Sequence, residues 1–144
     1  MFEPTLESSK KYARENKLEE WLHQFLCIEG KHNEMSDAWK RKKMEYFGPI
    51  LMSFNLIRRC YGPEPEMEAR IPEDDEEQLK WFWKNIDDIA ERFKTGNWDM
   101  PPLIALDKLE SGGVYGLDDG NHRFEALKKL GVKEYWVIFT KVFE

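Results

Sequence analysis

Cysteine is scarce: only Cys27 and Cys60 occur among 144 residues. Two thiols cannot build a disulfide scaffold, so a packed core has to stabilise the fold, and the pair reads as buried or free thiols. Long apolar runs are missing as well, since none approaches the ~20 residues that cross a bilayer. The opening Met1-Phe2-Glu3-Pro4 lacks a basic stretch followed by an apolar one. That pattern disfavours a secretory leader and makes the cytoplasm the expected location, with no membrane partner. No repeat, heptad run or low-complexity tract is present. Positive charge is not in excess either. A net charge of −6 argues against a phosphate-backbone binder, so nucleic acid is not an expected partner.

What is abundant points to a folded domain. The hydrophobic set reaches 41% and aromatics 14%, far from a disordered composition, and the length is that of one ordinary domain. The acidity is local. Residues 64–77 carry eight acids against one base, Arg70, which leaves the remaining chain near +1. An anion pocket elsewhere is therefore compatible with the total.

The first 48 residues read as a helical section. Leu18, Trp21, Leu22, Phe25 and Leu26 form one apolar stripe at helical spacing, with Gly30 as a C-terminal cap. A second short helix begins near Ser36 as N-cap and carries Lys40-Arg41-Lys42-Lys43. Gly48-Pro49 punctuates the chain, Ile50 to Ile57 reads as a strand, and 62–75 as an irregular loop. Leu79, Phe82, Trp83, Ile86, Ile89, Ala90 and Phe93 give the clearest helix, capped by Asp74 or Asp75 and ended by Gly96. Strands follow at Leu103 to Leu106 and Val114 to Leu117, then a helix from Asn121 to Gly131. A final strand, Tyr135 to Phe143, is apolar on both faces and should be covered on both.

The chemistry concentrates where the second of those strands turns into the helix, Asp118-Asp119-Gly120-Asn121-His122-Arg123. Gly120 permits a positive φ or close approach of a ligand. The first N–H groups of a helix have no internal partners. Cations in a first turn are locally unfavourable by roughly 0.3–1 kcal/mol, unless an anion is expected there. Gly120, His122 and Arg123 with free N–H groups form a phosphate cradle. The alternative is that Arg123 pairs with Asp118, Asp119 or Glu125 while His122 caps the turn. Spacing alone does not separate the two.

Asp119-Gly120-Asn121-His122-Arg123, followed by Glu125-Ala126 and Leu130-Gly131, resembles the signature of the ParB/sulfiredoxin superfamily. The order Ile86 to Ala90, Gly96, Pro101-Pro102-Leu103-Ile104 is similar to that family's upstream order, and the resemblance covers residues 49–144. It implies an α/β fold, a small mixed sheet with flanking helices, preceded by an N-terminal helical extension over 1–48. The ParB branch binds CTP and carries a further helix-turn-helix domain; no segment of these residues reads as one. Sulfiredoxins place a nucleophilic Cys where this chain has Asn121. The free serine kinase branch has the nearest turn, and keeps a glutamate early in the core as base. By position, that resemblance implies Glu66 or Glu68 here.

The expectation is thus a nucleotide, ATP, ADP or CTP with Mg²⁺, held at Asp119, Gly120, Asn121, His122 and Arg123. As an enzyme the chain would be a phosphotransferase or nucleotide hydrolase acting on a small-molecule hydroxyl acceptor. His122 and Arg123 would hold phosphates, Asp119 would assist the metal or shape the turn, and Glu66 or Glu68 would be the base. The other readings are a non-catalytic nucleotide-sensing or protein-interaction module, and a ParB-like nuclease or DNA-associated factor. Arg58 and Arg59 read as charges that balance the acidic run, His23 and His32 show no metal spacing, and the tryptophans read mostly as packing residues.

Overall fold

The computed structural model describes residues 2–29 and 32–143. Three helices come first: α1 (Leu6–Arg14), α2 (Leu18–Ile28) and α3 (Asn33–Lys40). The strand β1 (Lys43–Ser53) leads through a 3-10 turn (Phe54–Leu56) into three two-residue strands, β2 (Ile57–Arg58), β3 (Tyr61–Gly62) and β4 (Ala69–Arg70). The long helix α4 (Glu76–Lys94) follows. The chain closes with β5 (Leu103–Glu110), β6 (Val114–Asp119), α5 (Asn121–Lys129) and β7 (Glu134–Phe143). This is the mixed α/β architecture expected from the sequence.

Five strands form one mixed sheet in the order β1-β7-β5-β6-β2. β1 with β7 and β5 with β6 are antiparallel; β5 with β7 and β2 with β6 are parallel. Val137, Ile138, Phe139 and Thr140 are buried in succession along β7. Alternate side chains of a strand point to opposite faces, so both faces must be covered. Val137 and Phe139 pack with Phe54, Leu103 and Phe124, while Ile138 packs with Trp21, Leu22 and Ile104. The helical section therefore supplies the cover for one sheet face, and the position 48/49 lies inside β1.

Local signals account for the helix starts. Thr5 and Ser8 form a capping box at α1. Of the two candidate caps for α4, Asp75 serves, accepting from the Gln78 N–H at 3.0 Å. Phe82, Ile86 and Ala90 then bury one stripe of α4 against Ile71 and Ala126. Gly96 follows that helix at φ +77°.

Several elements differ from expectation. The strand starts at Lys43 rather than Ile50, because Met44 and Tyr46 alternate into the helical cluster before Gly48 is reached. Lys40 to Lys43 are consequently split between α3, a turn and β1 instead of lying on one helix. Ser36 is not a cap; it is buried inside α3, its hydroxyl 2.7 Å from His23 Nδ1. The acidic loop contains the small parallel pair β3–β4. The Gly30 cap lies outside the described residues. No helix among the described residues is long and apolar enough to cross a membrane.

Candidate functional site

The turn from β6 into α5 lies against a cavity of about 760 Å³. Gly120 is the N-cap residue of α5, at φ 93° and ψ 17°. A side chain there would be strained by the left-handed backbone. Its Cβ would also sit 2.9 Å from Leu103 Cδ2 and 3.0 Å from Arg123 Nη2. No side chain caps α5, so the N–H groups of its first turn have no partner within the helix. Asp118 through Arg123 line one side of the cavity; a face of α4 lines another, and Phe25, Glu29, His32, Tyr61, Trp98 and Pro101 complete the wall.

Arg123 adopts the pairing alternative. Its guanidinium is buried, with Nη1 donating to the Pro101 and Pro102 carbonyls at 2.7 and 2.9 Å, and Nη2 to Asp119 Oδ2 at 3.2 Å. It is a strut between the segment entering β5 and the turn. It lines the cavity without being a free phosphate ligand.

Asp119 is engaged on both oxygens, since Oδ1 lies 3.3 Å from His32 Nε2. The His32 and Arg123 contacts and the Gly120 N–H hold its carboxyl below the usual range despite burial, and the Asp119 contact raises His32. Both of its oxygens thus face cationic side chains. Among the described residues no group of three or more His, Cys, Asp or Glu side chains could hold a metal ion.

Asn121 clamps the backbone after β2. Its Oδ1 accepts from the Cys60 N–H at 2.8 Å and the Tyr61 N–H at 3.3 Å. His122 sits among Tyr61, Trp81 and Phe82, ring centroids 5.0–5.6 Å away. Burial in that aromatic box pushes its pKa down to about 4, with Arg59 and Arg123 acting in the same direction and Asp119 opposing. Near neutral pH His122 is therefore not the cation expected, and its Nε2 is buried without a hydrogen-bond partner. Asp118 is pushed up to about 6, chiefly by burial, while the Thr140 hydroxyl donates to it at 3.1 Å.

The expected bases are elsewhere. Glu66 and Glu68 are exposed and do not line the cavity. Arg58 holds Glu68 and Glu110 at 2.6 and 2.5 Å, and Arg59 pairs with Glu64 and Glu125, so both arginines balance acids as expected. Burial raises the Cys60 thiol, which makes it a poor nucleophile, and neither cysteine lines the cavity.

Glu29, Tyr61, Asn85 and Arg92 line the cavity with no local signal in the sequence for it, and His32, notable in the sequence only for lacking metal spacing, joins them. Arg92 lies 4.0 Å from the Trp98 ring centre and makes no ion pair among the described residues. Trp81, Asn85, Ile89 and Arg92 form a stripe at helical spacing beside the core stripe of α4. The spacing is visible in the sequence; only the fold shows that this stripe faces a cavity.

The two histidines should titrate on opposite sides of the ordinary value of 6.5. His32 contributes stability that is present below 6.5 and lost as pH rises through its raised folded value. His122 contributes stability that is present above 6.5 and lost as pH falls toward about 4. Imidazole NMR titration should find His122 neutral down to about pH 4, with His32 still charged above 6.5.

No family model and no curated protein matches the chain. Three solved structures align with part of the chain. A conserved hypothetical protein from Pyrococcus furiosus aligns with TM-score 0.45 and 18% identity, over 68% of this chain and 33% of that one. A free serine kinase in complex with AMP aligns with TM-score 0.44 and 17% identity, over 68% and 32%. A sulfiredoxin from Arabidopsis thaliana aligns with TM-score 0.40 and 20% identity, over 63% and 84%. The chain spans about a third of the length of the first two.

Proposed function

We propose that the β6–α5 turn holds the phosphates of a nucleotide, ATP, ADP or CTP. The observation that carries this reading is the uncapped first turn of α5 above a left-handed glycine, beside a cavity of about 760 Å³. Backbone N–H groups and the positive end of the helix suit an oxyanion. The cavity lies within the roughly 300–1,000 Å³ usual for small-molecule sites. In this reading Arg92 replaces His122 as the cation that meets the phosphates, and Arg123 keeps the turn in shape through Asp119 and the two proline carbonyls.

Binding without turnover is the form the donor set supports. Asp119 is fully engaged, and the glutamates expected as base are not at the cavity. Were phosphoryl transfer to occur, Asp118 would take the place of Glu66 or Glu68 as base, since it is the lining carboxylate whose pKa is drawn toward neutrality.

Titration of the full chain with ATP, ADP and CTP, followed by calorimetry, should show saturable binding. The His122 pKa should rise from about 4 on binding, because an anion nearby favours imidazolium. Gly120→Ala should weaken binding about tenfold to a hundredfold, the worth of one charge-assisted hydrogen bond. No heat and an unmoved His122 resonance with all three nucleotides would overturn the reading.

A further inference from the structure

The second stripe of α4 carries none of that helix's fully buried positions, and only Ile89 of it packs against the core. We infer that it is the nucleobase wall of the cavity, with Trp81 as the stacking surface and Asn85 reading the edge of an adenine. This rests on the phosphate reading above and adds the base to it.

Trp81 remains 55% exposed, yet it lines the cavity. Its contact with His122 is perpendicular, at 5.3 Å and 85°, so the imidazole covers at most one indole face. A large half-exposed indole in a concave wall is a platform for a flat ring, and base stacking on an aromatic is sequence-tolerant and substantial. Trp83 offers a comparison within the same helix: it is 44% exposed and does not line the cavity.

Asn85 lies one turn further along the same face, half-buried, and its amide makes no hydrogen bond among the described residues. Its neighbour Lys84, which lies off the cavity, pairs with Asp88 at 2.7 Å. A lone amide in a cavity wall offers one donor and one acceptor side by side. Adenine presents the matching pair, its amino N–H and N7, whereas the N7/O6 edge of guanine presents two acceptors. Cytosine offers the same pattern as adenine on a smaller ring, so stacking favours adenine.

The spacing along the helix fits this division. From Trp81 to Arg92 is eleven residues, about 16 Å at 1.5 Å per residue. The base occupies the Trp81–Asn85 end, and Arg92 takes the far end of the phosphate chain.

The test compares ATP, GTP, CTP and inorganic tripolyphosphate on the full chain. It uses the wild type, Trp81→Leu, Asn85→Leu and, as control, Trp83→Leu, each shown to be folded by circular dichroism. In the wild type, ATP should bind about tenfold tighter than GTP or tripolyphosphate, the discrimination expected of one bidentate amide contact. Trp81→Leu and Asn85→Leu should each bring ATP close to tripolyphosphate and leave tripolyphosphate unchanged; Trp83→Leu should change nothing. Equal affinity for ATP and tripolyphosphate in the wild type would overturn the base wall while the phosphate reading stands. CTP or GTP binding tighter than ATP would overturn the adenine assignment. Binding of none of the four would overturn both readings together.

Discussion

Arg123→Ala should destabilise the protein by about 3–5 kcal/mol, the usual consequence of removing one partner from a buried ion pair. The guanidinium is 8% exposed and serves three acceptors, the carbonyls of Pro101 and Pro102 and the Asp119 carboxylate. Its loss leaves all three short of a donor. Asp119 keeps its His32 contact, which moderates the loss but does not replace the fork. For a chain of this size the thermal midpoint should fall by about 10 °C. Arg123→Lys should restore little of it, because an ammonium cannot reproduce the planar, divergent donors. A midpoint within about 2 °C of wild type would remove the strut assignment. The consequence for ligand studies is direct: an affinity lost in Arg123→Ala reports on the shape of the turn, so Gly120 and Arg92 are the positions at which to ask about phosphate.

Leu22→Ala should cost about 2–5 kcal/mol, the range for a fully buried leucine. Leu22 and Trp21 are 0% exposed and share a cluster with Ile104 of β5 and Ile138 of β7. If residues 1–48 and the sheet fold as one unit, near-ultraviolet and far-ultraviolet circular dichroism will show the same lowered midpoint. Ile138→Ala will lower that same transition. Two separate transitions, with only the earlier one sensitive to Leu22→Ala, would establish the helical section as an independent folding unit.

The parts of the fold that were legible in the sequence are those governed by local pattern. The α4 helix shows its stripe through Phe82, Ile86 and Ala90, and β7 shows burial on both faces through consecutive apolar residues. The left-handed Gly120 and the start of α5 were legible for the same reason, since glycine before a helical run has few other uses. What was not legible depends on contacts distant in sequence. Nothing local links His32 to Asp119, or Arg123 to the Pro101 and Pro102 carbonyls. The choice between phosphate ligand and buried strut for Arg123 turned on those contacts. Glu66 and Glu68 show the complementary error. Their position along the chain suggested the site, but Arg58 draws Glu68 toward β2, and Glu66 stays in solvent. The charge of His122 is not legible locally, because the aromatic box around it is assembled from Tyr61, Trp81 and Phe82.

The Asn121 side chain has a consequence for how this chain tolerates change. By gripping the amides of Cys60 and Tyr61, it anchors the root of the acidic segment to the start of α5. Lengthening the segment at its tip, around Pro65 and Glu66, leaves that anchor alone, so an inserted tag belongs there. A single residue added at Cys60 or Tyr61 would slide the anchored amides out of reach, reshape the turn from behind and displace Tyr61 from the cavity wall.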